Sequence, residues 1–340
     1  VRSRRQRQMC IRDRSILKTH DSLLLDLDGT VWEGGQALQC VVDVINSCGV
    51  PAVYVTNNAS RSPQTVAGML GEIGLKTDAN RVVTSAQAAV KIAREDFPAG
   101  TKVLVIGADS FRTLAREAGF EVVDSADDKP AAVLQGMDKS VGWEQLSEGA
   151  FAINQGAKYY ASNLDTSLPT ERGMAVGNGS LVAAVVSTTG VEPITAGKPE
   201  PAMFTQAAKL VGSTKPLAVG DRLDTDIVGG NNAAMDTFHV LTGVSRELAL
   251  IEAIPEARPN FIGAGFHELS LSEAQARPGA QGGFRARYDG YDIVLQGGDE
   301  KSTSVEALRT VLEVAWAGAE PPRYIQPRSE AAERVVSTWR

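Results

Sequence analysis

Asp26 and Asp28 stand in the run Leu23-Leu24-Leu25-Asp26-Leu27-Asp28-Gly29-Thr30, two carboxylates at the end of an apolar segment that reads as a buried strand. A charge in that position needs a partner or a reaction to perform. Three more stretches place polar groups at or just beyond strand-like runs: Thr56-Asn57-Asn58 after residues 51–55, Lys198 in Gly197-Lys198-Pro199, and Asp221, Asp224 and Asp226 after residues 216–220. Together these residues offer a carboxylate nucleophile, donors for phosphate oxygens, a cation, and oxygen ligands for a hard divalent ion such as Mg2+. His20, His239 and His267 are scattered, and Cys10, Cys40 and Cys48 lack metal-ligand or disulfide-framework spacing, which disfavours zinc.

The elements that must position these groups follow an α/β rhythm. Strand-like runs at residues 23–27, 51–56 and 81–83 alternate with helix-like stretches at 37–47, 63–73 and 85–95. In a parallel sheet, ligands bind beyond the carboxyl ends of the strands, so polar stretches far apart in the chain can share one crevice. A second α/β unit begins at residues 102–107 and continues through the predicted helices 110–118 and 143–154 to about Gly190. It reads as an insertion, because the first pattern resumes with Gly197-Lys198-Pro199, a helix at 201–211 and a strand at 216–220. The tail differs in texture: Gly279, Gly282 and Gly283 interrupt it before a strand at 292–296 and a helix at 302–316. Gly297-Gly298 is not a phosphate loop, since the Lys-Ser/Thr ending is missing at the required offset. The expected division is a core of residues 19–98 and 191–269, an inserted domain of 99–190, a C-terminal extension of 270–340, and a basic leader of 1–18 outside the fold.

With 340 residues, 43% of them hydrophobic, the chain can bury a core of several units. A formal charge of −7 argues against a broad nucleic-acid footprint. No apolar run reaches bilayer-spanning length, and the opening residues lack the apolar segment of a secretion signal. With so few cysteines, the expected location is the cytoplasm.

Taken in order, the Asp26-x-Asp28-Gly-Thr, Thr56-Asn57-Asn58, Gly197-Lys198-Pro199 and Gly220-Asp221-Arg-Leu-Asp-Thr-Asp226 segments resemble the motifs of the haloacid dehalogenase superfamily, in its phosphatase branch. The resemblance implies a Rossmann-like core, with Asp26 as nucleophile and Asp28 as general acid and base. It implies Thr56, Asn57 and Lys198 around the phosphate. Mg2+ would be held by Asp26, the Asp28 carbonyl and Asp221, with Asp226 reaching it through water. Arg222 reads as a brace for the acidic loop more readily than as a phosphate clamp.

The insertion resembles the large cap of the NagD-like phosphatases, which implies compact phosphomonoesters as substrates. Asn58, Asn163, Asp165 and Arg172 are the candidates for substrate specificity; a loop-bracing role is an equal reading for the last three. Asp165 suits the hydroxyls of a polyol, which favours glycerol 3-phosphate over phosphoglycolate, nucleotide monophosphates and pyridoxal phosphate. The tail resembles that of an actinobacterial glycerol-phosphate phosphatase subgroup and is expected to pack on the core or on a partner copy in a homo-oligomer. The rival reading is a non-catalytic metabolite-binding or assembly protein that keeps the fold.

Overall fold

The computed structural model describes residues 15–170 and 172–340. The basic leader up to residue 14, with Cys10, lies outside the described residues. Ser15–Lys18, set aside with the leader on sequence grounds, belong to the fold. Ile16 is fully buried, its amide donates to the Leu271 carbonyl at 2.8 Å, and it opens a short helix, Ile16–Thr19. Ile16 and Leu17, next to a run of basic and polar residues, are too short an apolar signal to read from sequence.

The chain divides into two compact units, one of Val1–Ala52 with Ser213–Arg340, the other of Val53–Gly212. In the first, four parallel strands run in the order Phe261–Gly263, Asp236–Val240, Pro216–Gly220, Ser22–Leu25. Their residues are almost all buried, as expected of strands covered on both faces, and Leu23 to Leu25 are 0% exposed. The C-terminal residues belong to this same unit. Phe284–Asp289 pairs antiparallel with Asp292–Gly297, which pairs parallel with Ile325–Pro327. Helices Ser304–Ala315 and Glu330–Val336 complete it.

The tail is no loose appendage. Leu308, Val311, Leu312 and Val335 share one apolar cluster with Leu223, Ile227, Leu250 and Ile262. Arg309, 2% exposed, donates from Nε to the Ile262 carbonyl at 3.0 Å and pairs with Glu268 at 2.6 Å, while the Trp316 indole donates to the Leu250 carbonyl at 2.9 Å. A buried guanidinium met by a carbonyl and a carboxylate is a compensated charge, and it specifies how the tail docks.

The second unit contains the strand pair of Ala52–Thr56, from Val53 onward, with Val82–Thr84, in parallel register. It also holds a five-stranded parallel sheet in the order Ile194–Thr195, Lys158–Ala161, Ala132–Gln135, Lys102–Ile106, Glu121–Val123. A two-stranded antiparallel hairpin, Ser167–Thr170 with Gly173–Val176, projects exposed residues. The fold is thus mixed α/β with parallel sheets.

Candidate active site

In the first unit the strand Ser22–Leu25 delivers Asp26, whose amide still donates to the Val219 carbonyl of the neighbouring strand at 3.0 Å. That ladder bond holds Asp26 level with the end of strand Pro216–Gly220, where Asp221 follows. A single π-helical turn, Leu223–Ile227, then swings Asp226 back, and its carboxylate accepts from the Arg222 amide at 3.1 Å. Carboxylate oxygens of Asp26, Asp221 and Asp226 all lie within 4.8 Å of one another. Asp221 is 0% and Asp226 2% exposed, so three carboxyl groups converge where water screens charge poorly. An all-oxygen donor set of this kind fits a hard divalent cation such as Mg2+.

Asp221 is held from three directions. The Thr30 hydroxyl donates to Oδ1 at 3.1 Å, the Val244 amide donates to Oδ2 at 2.7 Å, and the Asp221 carbonyl accepts from the Ser245 amide at 3.1 Å. Thr242 ties the same loop to the strand end by donating to the Gly29 carbonyl at 2.6 Å. Asp28 points out of the core and is exposed, and its Oδ1 accepts from the Trp32 indole at 2.9 Å. Thr30, Trp32 and the 242–245 loop are functional neighbours that sequence reasoning missed. The Gly-Thr after Asp28 is the signal for Thr30 and the Thr-Gly after strand Asp236–Val240 the signal for the 242–245 loop, while no local signal marks Trp32.

Asp224 does not join the acidic trio. It is exposed and takes Arg222 in a two-pronged pair, Nε to Oδ1 at 3.1 Å and Nη2 to Oδ2 at 2.7 Å. His239, in the adjacent strand, is fully buried; desolvation pushes its imidazole down to about 4, opposed by its hydrogen bond to the Ser245 carbonyl.

In the second unit, strand Ala52–Thr56 ends in Thr56, 2% exposed, whose hydroxyl accepts from the Asn58 amide at 3.1 Å. Lys198 is 3% exposed, and its ammonium donates to the Val55 carbonyl at 3.0 Å. Asn57 joins the two segments. Its Oδ1 accepts from the Lys198 amide at 2.8 Å, and its Nδ2 donates to the Lys198 carbonyl at 3.0 Å and to Asp165 Oδ2 at 3.0 Å. The Asn57 carbonyl accepts from Ser85 Oγ and Asn163 Nδ2, both at 2.7 Å.

The remaining specificity candidates fall into two groups. Asn58 Oδ1 accepts from the Ser60 amide and hydroxyl, and Asn163 Oδ1 accepts from the Asp165 amide, so both side chains shape their own loops. Arg172 is exposed at the turn of the hairpin.

Comparison with known proteins shows the family. Residues 23–121 match the family model of haloacid dehalogenase-like hydrolases, and residues 195–269 match a HAD-hydrolase-like model. A D-glycerol 3-phosphate phosphatase of Mycobacterium tuberculosis is 36% identical over 337 residues, covering 96% of each chain. An acid sugar phosphatase of Staphylococcus aureus is 37% identical over 234 residues, 67% of this chain and 89% of its own. Among solved structures, a glycerol phosphate phosphatase from M. tuberculosis in complex with magnesium superposes with a TM-score of 0.91 at 37% identity, covering 96% of this chain and 99% of that one. A thermostable NPPase from Geobacillus stearothermophilus gives a TM-score of 0.66 at 31% identity over 73% of this chain and 96% of its own. With its ordered motifs, its acidic trio and a relative matched along nearly its whole length, the chain belongs to the haloacid dehalogenase-like hydrolases.

Proposed function

We propose that this protein is a magnesium-dependent phosphatase that hydrolyses small phosphomonoesters, with glycerol 3-phosphate as its preferred substrate, through a phosphoryl group carried on Asp26. The observation that carries the reading is the convergence of Asp26, Asp221 and Asp226 within 4.8 Å at the carboxyl ends of parallel strands. The glycerol-phosphate preference is supported by the relatives named for that activity.

In this reading Asp26 Oδ attacks phosphorus and the bond from phosphorus to the alcohol oxygen breaks. Asp28 gives its proton to the departing alkoxide. Asp28 then takes a proton from water, whose oxygen attacks phosphorus and releases Asp26 and inorganic phosphate. The Trp32 indole holds Asp28 in the orientation both transfers need. Thr56 and the amides around Asn57 donate to the nonbridging oxygens, and Lys198 neutralises charge shared by the nucleophile and the phosphoryl group. Mg2+ would be held by Asp26, the Asp28 carbonyl and Asp221, with Asp226 reaching it through water; when bound, it offsets the repulsion between carboxylate and phosphate.

Residues 19–98 and 191–269 serve as the catalytic core in this proposal, 99–190 as a cap that restricts the site to compact metabolites, and 270–340 as an extension that stabilises the core. Arg172, exposed at the hairpin turn, is a specificity candidate in the same proposal. Among the described residues no helix is long and apolar enough to cross a membrane. A small dissolved metabolite as partner and the cytoplasm as site of action belong to the same proposal. Self-association into a homo-oligomer belongs to the same proposal.

The test is a substrate panel under Mg2+: kcat/KM for glycerol 3-phosphate, phosphoglycolate, UMP and pyridoxal phosphate. Glycerol 3-phosphate should lead, and Asp26→Asn should abolish phosphate release while the fold persists. Absence of turnover across the panel by the wild-type protein would favour the non-catalytic binder, and a pyridoxal phosphate preference would overturn the polyol reading.

A further inference from the structure

Asn57 and Asp165 stand 108 residues apart in sequence and are joined at 3.0 Å. The side-chain amide of Asn57 is fully occupied by protein. It grips both sides of the peptide backbone at Lys198, accepting from the amide at 2.8 Å and donating to the carbonyl at 3.0 Å. Its Nδ2 has two protons, and Asp165 Oδ2 and the Lys198 carbonyl are their two acceptors. Asn163 closes the ring: Nδ2 donates to the Asn57 carbonyl at 2.7 Å and Oδ1 accepts from the Asp165 amide at 3.1 Å. Asn178 in turn donates to the Asn163 carbonyl at 2.7 Å.

The packing leaves this ring little slack. A Cβ added at Gly197 would lie 2.4 Å from the Ser162 carbonyl oxygen and 2.7 Å from Asn57 Oδ1, so the chain before Lys198 is pressed against both partners. Asn57, Asn163 and Lys198 are 9%, 5% and 3% exposed. All of these residues lie within the compact unit Val53–Gly212.

We propose that Asn57 and Asp165 are positioning residues that act through the backbone of Lys198. Asn57 holds the lysine by its peptide groups, and Asp165 orients the Asn57 amide so that its oxygen meets the Lys198 N–H. A rotated amide would set its NH2 group against that N–H and its oxygen against the Lys198 carbonyl. The loop at 163–165 thereby sets the position of the ammonium, independently of the substrate's leaving group. This inference rests on the proposed role of Lys198 and replaces the polyol-reading role of Asp165.

The experiment compares glycerol 3-phosphate with n-propyl phosphate, the same ester without its hydroxyl groups, in wild type and in Asp165→Ala, Asp165→Asn, Asn57→Ala and the double Asn57→Ala/Asp165→Ala variant. If the residues position Lys198, Asp165→Ala lowers kcat about tenfold for both esters with KM nearly unchanged, because misplacing a charge-stabilising group acts on the transition state. Asp165→Asn, which keeps an acceptor for Asn57, restores most of the rate. The double variant falls no further than Asn57→Ala alone, since both act through one contact. Should Asn57→Ala fail to fold, the half-buried Asp165 variants carry the test alone. A loss for glycerol 3-phosphate that exceeds the loss for propyl phosphate tenfold would show that Asp165 reads the hydroxyls, and an unchanged kcat would also overturn the proposal. An inactive wild-type enzyme would instead count against the phosphatase reading itself.

Discussion

Gly243 has no space for a side chain because Asp221 occupies it: a Cβ at Gly243 would lie 1.9 Å from Asp221 Oδ2. Gly29 meets the same carboxylate from another side, where a Cβ would come within 2.7 Å of Oδ2, and its φ of +87° is itself strained for any other residue. The proposed metal ligand is thus seated between two backbones. Gly243→Ala should push Asp221 aside and raise the Mg2+ concentration for half-maximal binding about tenfold or more. Calorimetric titration of Mg2+ checks this without recourse to turnover, and an unchanged affinity would show that Asp221 is not a ligand.

The indole of Trp32 orients Asp28, and nothing in the motif itself announces it. Trp32→Phe keeps the ring and removes the donor. We expect kcat to fall about tenfold with KM nearly constant, the signature of an interaction that matters in the transition state. A change confined to KM would assign Trp32 to substrate binding instead.

The tail should behave as part of the core. Leu308, fully buried in the cluster that includes Leu250 and Ile262, loses its packing in Leu308→Ala, at about 3 kcal/mol by analogy with other buried leucines. Urea unfolding followed by circular dichroism measures this. If the tail were a separate domain, a distinct early transition would appear and the remainder of the curve would stay unchanged.

Burial depresses the His239 imidazole from its ordinary 6.5 to about 4. Between those values the unfolded chain binds a proton that the folded chain refuses, so the folded state gains stability as pH rises through this window and loses it as pH falls toward 4. The slope amounts to at most about 1.4 kcal/mol per pH unit. Urea midpoints at a series of pH values should show a shallower dependence in His239→Gln than in wild type. Identical slopes would mean that His239 titrates alike in both states.

Much of this organisation is legible in the sequence, and the parts that are not share a cause. The uninterrupted apolar run of Leu23 to Leu25 marks a strand covered on both faces, and the predicted helix at 143–154 is found as Trp143–Asn154. Strand Asp236–Val240 was not anticipated, because Asp236, Thr237 and His239 break its apolar pattern; Thr237 and His239 are buried through hydrogen bonds to Asn260 and Ser245 that no local window contains. Helix Asn178–Thr189 begins among glycines that carry no helix signal; Gly177 and Gly179 are small because the backbone of residues 164–167 presses on them. The acidic trio follows from motif order and strand ends. The grip of Asn57 on Lys198 depends on two segments meeting across 141 positions, and only tertiary structure reveals it.

The stereochemistry at phosphorus tests the central claim most directly. Hydrolysis of a glycerol 3-phosphorothioate made chiral with two oxygen isotopes, in water of the third, should return chiral inorganic thiophosphate with overall retention, because transfer to Asp26 and then to water inverts the centre twice. Net inversion would mean that water attacks the substrate in a single step, and the nucleophilic role of Asp26 would be wrong.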